Sequence, residues 1–327
     1  MSLLSVKNLT IGYQTRYGMF TAVDNISFNV EMARPLGIVG ESGCGKTTIG
    51  MSLMGLLPDN AKILSGSMAF GDIELSELGE SQWARIRGKE ISMIFQAAMN
   101  ALNPVFRVQD QVREAIACHH PEMAEDQIDA RVKELFELVE IPLDRIYDYP
   151  HQYSGGMKQR VVIAMALACS PVLVIADEPT TALDVVVQDQ ILKRLKSIQV
   201  RMNTGVIFIS HDIAVVASVC DDVCVMYGGQ IVEKGTVREV FSTPGHPYTR
   251  TLLGAYLSLD NVESIVVPEM NISLNEAMEE GLCRFIPNCK VSCEKCRNTI
   301  PSWANISPTH SVLCCGKQMI GQGNERH

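Results

Sequence analysis

The run Gly40-Glu41-Ser42-Gly43-Cys44-Gly45-Lys46-Thr47-Thr48 concentrates more groups able to do chemistry than any other stretch of the chain. Its Gly-x-x-x-x-Gly-Lys-Thr spacing is that of a phosphate-binding loop. A triphosphate carries dense negative charge and needs several donors converging on it. Glycines let the backbone curl so that successive N–H groups point inward, at a helix N-terminus that is already electropositive. On this reading Lys46 reaches the β- and γ-phosphates and the Thr47 hydroxyl ligates Mg²⁺. A glycine-rich turn could match the spacing by accident. Against that, Leu36, Ile38 and Val39 read as the end of a buried strand, and Thr47 to Leu57 as a helix, the context a phosphate loop requires.

A second constellation lies downstream. Val172 to Ala176 is continuously apolar and ends on Asp177-Glu178, as suits a strand buried on both faces of a parallel sheet. Two carboxylates at such a strand end are costly unless a cation or a proton transfer uses them. Asp177 is expected to hold the Mg²⁺ water shell, and Glu178 to orient and polarise an attacking water. Three further sites each have an ordinary alternative. Ser154-Gly155-Gly156 opens a helix, where a serine is a common cap, yet its hydroxyl and the glycine amides could also serve a phosphate. His211 follows the apolar run Val206 to Ser210, either as a turn residue or as a group touching a γ-phosphate. Tyr13, after the first strand, is either simple packing or a ring that stacks on an adenine.

Positioning these residues calls for alternating strands and helices. Residues 3 to 11 and Ala22 to Val30 read as strands, the second with Val23, Ile26, Phe28 and Val30 facing inward. Pro58 to Gly66 reads as a loop, and Met68 to Ile73 and Ile91 to Phe95 as strands, the latter ending at Gln96. Residues 97 to 155 differ in character. Ile128, Val132, Leu135, Phe136 and Val139 recur at helical spacing, and prolines punctuate the segment, which suggests a helical insertion carried by an α/β core. A helix over 156 to 169, another over 186 to 202 after Asp184, and a hairpin across Gly228-Gly229 complete the pattern.

The bulk properties narrow the function. At 327 residues the chain suggests about two domains. A formal net charge of −9 argues against a nucleic-acid partner. The first residues carry no basic-then-apolar signal segment. Val161 to Ala176 is almost wholly apolar but too short for a membrane span and broken by Ser170-Pro171, so it reads as a buried helix, a turn and a buried strand. Of eleven cysteines, six (283, 289, 293, 296, 314 and 315) fall in the last 45 positions. Without an export signal the compartment is reducing, and a metal is favoured there over a disulfide framework.

Taken together, Tyr13, the loop at 40 to 47, Gln96, Tyr153 to Met157, Leu173 to Glu178, Asp184 and His211, in that order, resemble the ATP-binding subunits of ABC transporters, over about residues 3 to 255. The resemblance implies an α/β fold: a phosphate-loop (RecA-like) core with an antiparallel β subdomain and an inserted helical subdomain, here followed by a small cysteine-rich C-terminal region. It implies a nucleotide-binding domain over 1–240 and an extension over 241–327. It implies ATP with Mg²⁺ as cofactors, with Gln96 joining Thr47 and Asp177 at the metal and acting with Lys46, Glu178 and His211 in catalysis. Two such subunits would close face to face around two ATPs, so that Ser154, Gly155 and Gly156 of one reach nucleotide on the other.

Ala101-Leu-Asn-Pro104, Ala176-Asp-Glu-Pro-Thr-Thr-Ala-Leu-Asp184 and His246-Pro-Tyr-Thr249 extend the likeness to importers of the dipeptide, oligopeptide and nickel group. This implies a peripheral protein on the cytoplasmic face of the membrane. Its partners would be a second ATPase subunit forming a heterodimer, two transmembrane permease subunits and an extracellular solute-binding protein, with no nucleic acid. Cys283, Cys289, Cys296 and Cys314 look like that group's four-cysteine tail, which implies a [4Fe–4S] cluster; from the residues alone, four thiolates serve Zn²⁺ equally. Cys293 and Cys315 are surplus to the pattern. The sequence departs from the family at Ala33-Arg34 (for Gly-Glu), Cys44 (for Ser), Ala97-Ala98 (for Asp-Pro) and Tyr153 (for Leu). Cys44 is expected to be a target of alkylating agents that ATP shields. A chromosome-acting ATPase of this type would carry long coiled-coil arms between Lys46 and Ser154, which are absent. A cluster-assembly or redox-sensing ATPase stays open as the alternative. The cargo, whether peptide, nickel or another chelate, is chosen by other subunits.

Overall fold

The computed structural model describes residues 2–96, 101–180, 183–257 and 281–315, with the side chains of 255–257 left aside. The chain opens with two long antiparallel strands, β1 (Ser2–Thr15) and β2 (Gly18–Glu31). Val23 and Ile26 both face the core although three positions separate them, which breaks the period of two. A bulge repairs the pattern: Leu9 pairs with Ile26 but Ile11 with Val23, and Asn25 takes the left-handed conformation at φ 50°. The chain then turns into β3 (Leu36–Gly40), the phosphate loop and helix α1 (Lys46–Leu53). It returns through β4 (Ala61–Phe70) and the short β5 (Ile73–Glu74), which complete a four-stranded sheet in the order β2-β1-β4-β5.

Helix α2 (Glu80–Ile86) and strand β6 (Ile91–Ile94) lead to the insertion, which is helical as its periodicity predicts: α3 (Val108–Ala117), α4 (Glu125–Leu138) and then α5 (Gly155–Ala166). Strands and helices then alternate as β7 (Leu173–Asp177), α6 (Val185–Met202), β8 (Gly205–Ser210), α7 (Ile213–Val219), β9 (Asp222–Tyr227), β10 (Gln230–Thr236), α8 (Val237–Ser242) and α9 (Pro247–Leu257). The tail adds one helical turn, α10 (Glu294–Arg297), and a hairpin of β11 (Ser302–Asn305) and β12 (Ser311–Cys314).

The second sheet runs β11-β12-β10-β9-β3-β8-β7-β6. Its β9-β3-β8-β7-β6 part is parallel, and β10, β12 and β11 extend it antiparallel. In β7, Leu173 and Ile175 pack toward the antiparallel sheet, while Val174 and Ala176 pack toward the helices of the insertion and α6. This two-sided burial is why the strand is uniformly apolar and shows no alternation.

The cysteine-rich tail is tied to this core by sheet pairing and by a buried carboxylate–imidazole hydrogen bond. Glu233 of β10 is 0% exposed; its carboxylate accepts from His310 Nε2 at 2.7 Å and from the backbone N–H groups of Gly245 and His246 at 2.7 and 2.8 Å. Among the described residues, no helix is long and apolar enough to cross a membrane.

Candidate functional site

β3 ends on Gly40, where a Cβ would stand 2.2 Å from the carbonyl oxygen of Met226. The phosphate loop can leave the sheet this closely only through a glycine. Gly45, at φ 101°, caps α1 in the left-handed region, and a Cβ there would meet the Ala22 carbonyl at 2.6 Å. The backbone N–H groups of Ser42, Gly43 and Gly45 find no backbone acceptor among the described residues. Lys46 is buried, with Nζ donating to the carbonyls of Gly40 and Glu41, both at 2.7 Å. These are oxygens whose place a phosphate oxygen can take. The Cys44 side chain turns into the core: it is 2% exposed, its Sγ accepts from Lys46 Nζ at 3.7 Å, and burial pushes its thiol up. The expected alkylation at Cys44 therefore has no accessible thiolate to work on.

Around this loop the sheet ends converge. Asp177, the last residue of β7, is 1% exposed, and burial raises its carboxyl above the ordinary range despite a hydrogen bond from the Thr47 hydroxyl. Its Oδ1 has no hydrogen-bond partner. A buried carboxylate oxygen left without a donor beside a hydroxyl fits a bound cation, since such a group is costly otherwise. Glu178 adopts φ 46°, a conformation that a non-glycine residue holds only at some cost. Its Oε2 accepts from Gln96 Nε2 at 2.6 Å and its Oε1 from His211 Nδ1 at 2.8 Å. Three residues far apart in the chain thus meet at one carboxylate. Tyr13 also lies beside the loop, its hydroxyl 3.2 Å from Thr48 Oγ1.

The remaining predicted residues sit elsewhere. Ser154 caps α5, accepting from Met157 N–H at 3.3 Å, and Ser154 and Gly155 are exposed. Asp184 caps α6, accepting from Val187 N–H at 3.0 Å. Its neighbours Thr181 and Ala182, and Ala97-Ala98 after Gln96, lie outside the described residues. In the tail, Cys283, Cys289, Cys296 and Cys314 line one cavity of about 20 Å³ together with Cys315 and His246. The expected ligand set is thus brought together. It is not assembled at metal-holding geometry, since no group of three or more His, Cys, Asp or Glu side chains among the described residues is so placed. Burial pushes the Cys283 thiol up to about 11, as for neutral thiols closed around a small void.

Residues 23–181 match the family described as ABC transporter, and residues 232–296 the family described as oligopeptide/dipeptide transporter, C-terminal region. The dipeptide transport ATP-binding protein DppD of Bacillus subtilis is 42% identical across 95% of this chain and 94% of its own length. The chain belongs to the ATP-binding subunits of dipeptide and oligopeptide ABC transporters. A second member, the oligopeptide transport ATP-binding protein OppD of Escherichia coli, is 43% identical over 92% of this chain and 89% of its own. Among solved structures, the dimeric post-hydrolysis state of the ATP-binding cassette MJ0796 bound to ADP and phosphate superposes with a TM-score of 0.64, at 27% identity over 72% of this chain and 99% of that one. CbiO1 of Clostridium perfringens, part of a cbiONQ transporter complex, superposes with a TM-score of 0.66, at 27% identity over 80% and 96%.

Like the rest of its family the chain is an ATP-hydrolysing transporter subunit with the ABC cassette fold. Two groups near the nucleotide loop went unread in the sequence. Tyr248 was visible only as part of a family motif, and Arg284 carried no signal, because each contacts the loop region through the folded tail.

Proposed function

We propose that this subunit powers the import of peptides, working as one half of a pair of ATPase subunits at the cytoplasmic face of a membrane. The observation that carries the catalytic part is the Glu178 carboxylate held by Gln96 and His211 at the edge of the phosphate loop. An ionised carboxylate oriented in this way is a general base, so Glu178 accepts a proton from a water aimed at the γ-phosphorus. Lys46 exchanges its two carbonyls for the β- and γ-phosphate oxygens. Thr47 and Asp177, with Gln96, would hold Mg²⁺, which when bound would supply positive charge against that developing on the phosphate oxygens. The Tyr13 hydroxyl beside Thr48 supports a ring that faces the adenine, and Thr48 with the amides from Ser42 to Gly45 would complete the phosphate cradle.

The exposure of Ser154 and Gly155 supports their use, with Gly156, against nucleotide on the opposing subunit, and Asp184 would lie along the same seam. The relatives named for dipeptide and oligopeptide transport support peptides as cargo and permease subunits as partners; the second ATPase subunit and a binding protein outside the membrane rest on the family resemblance alone. In the tail, four thiols on one cavity support a [4Fe–4S] cluster on Cys283, Cys289, Cys296 and Cys314, held once the void has opened and the thiols have ionised. The test uses the subunit co-expressed with its partners and purified without oxygen. Transport and hydrolysis should be lost in Lys46→Ala, and iron with acid-labile sulfide should accompany the wild-type chain. Turnover that survives Lys46→Ala refutes the site, and zinc without iron refutes the cluster.

A further inference from the structure

The phosphate loop is held from behind by residues that lie beyond the cassette's own motifs. The peptide unit joining Gly40 to Glu41 is gripped on both sides. Its carbonyl accepts from Lys46 Nζ, and its N–H donates to the Tyr248 hydroxyl at 3.1 Å. Tyr248 is 1% exposed, and its ring is fixed against Tyr227 at 4.6 Å and against Phe285 of the tail at 5.5 Å between centroids. A second grip lies at the other end of the loop, where the Cys44 carbonyl accepts from the N–H of Gly229 at 3.2 Å. Gly229 stands in the turn between β9 and β10 at φ 86°. Arg284, buried in the tail, locks that turn. Its Nη1 donates to the Gly228 carbonyl and its Nη2 to Asp24 Oδ2 at 2.5 Å, while the N–H of Asp24 donates to the Gly229 carbonyl at 2.9 Å.

We propose that Tyr248 and Arg284 are positioning residues for nucleotide binding, fixing the two ends of the phosphate loop through the Glu41 N–H and the Cys44 carbonyl. The inference rests on reading this loop as the ATP site. Neither side chain touches the nucleotide. A glycine-rich loop must order its amides before they can converge on phosphates, and each backbone group fixed in advance lowers that ordering cost. The effect is felt equally by bound ATP and by the transition state, so it falls on KM and leaves kcat alone.

The experiment compares Tyr248→Phe, Tyr227→Phe and Lys46→Ala in the full-length chain assembled with its partner subunits, reading MgATP affinity and the steady-state constants. Tyr248→Phe keeps the ring and removes only the hydroxyl. It should raise KM and the ATP dissociation constant together by about two- to tenfold, the worth of one hydrogen bond, with kcat little changed. Tyr227→Phe removes a hydroxyl from the same aromatic cluster, one that accepts from Asn288 Nδ2 at 3.2 Å and does not touch the loop; its KM should stay at the wild-type value. Arg284→Gln should shift KM in the direction of Tyr248→Phe, and if it fails to fold, the tyrosine pair decides. Unchanged KM in Tyr248→Phe, or equal rises in both tyrosine variants, overturns the proposal while loss of ATP binding in Lys46→Ala leaves the site itself standing. ATP binding that survives Lys46→Ala overturns the site.

Discussion

At the scale of single residues, the thiols divide sharply by surroundings. Cys44, Cys220 and Cys224 are buried, and burial pushes their thiols up, Cys224 to about 12. Cys293 is exposed, and its thiol is lowered because the N–H and then the thiol of Cys296, whose Sγ is 3.5 Å away, stabilise its thiolate. Since the thiolate is the nucleophile, iodoacetamide near neutral pH should label Cys293 of the chain freed of any cluster ahead of every other described cysteine. Mass spectrometry of a brief labelling time course, with peptide mapping, checks this. Label arriving first on Cys44 would contradict it and would restore the expectation from sequence. That expectation took Cys44 at face value as a loop residue. Nothing in the run Ser42 to Gly45 reveals that alternate side chains of the loop turn into the core.

At the scale of elements, the turn between β2 and β3 carries visible strain. Met32 and Ala33 link Glu31 to Arg34, and Ala33 sits at φ 55°, in the left-handed region that favours glycine. An alanine in the left-handed region costs about 1 kcal/mol more than glycine, part of which glycine gives back as unfolded-chain entropy. Ala33→Gly should therefore raise stability by up to about 1 kcal/mol, seen as a higher denaturant midpoint with an unchanged slope. A lower midpoint would mean that the turn is not strained. Arg34, the other departure, is accounted for: its guanidinium makes paired bonds to Asp222, at 2.5 and 2.7 Å, and anchors the start of β9. The strands and helices of the core were legible because burial imposes a period. β4 was read late, from Met68, whereas it starts at Ala61. Its first half pairs with β1 yet stays largely exposed, so backbone pairing holds residues that carry no hydrophobic rhythm. The candidate site was legible for a different reason: phosphate and carboxylate chemistry restricts residue types at fixed spacing, whereas Tyr248 and Arg284 work through single long-range contacts that leave no spacing to read.

At the scale of the whole molecule, the proposed function divides the site between two subunits. Lys46, Asp177, Glu178, Gln96 and His211 meet at the ends of the parallel strands, while Ser154 and Gly155 stand exposed on the inserted helices. The ATP-binding cassette MJ0796, similar in fold to this chain, is dimeric in its post-hydrolysis state with ADP and phosphate. On the proposed function, ATP is bound between two paired subunits and is cut there by water activated at Glu178. Glu178→Gln tests this most directly, because it preserves shape and removes the base. In the assembled transporter the variant should keep ATP affinity within about twofold while kcat falls by at least ~100-fold, the usual worth of a general base, and MgATP should hold it as a stable closed pair. Near-normal turnover in Glu178→Gln would contradict the account.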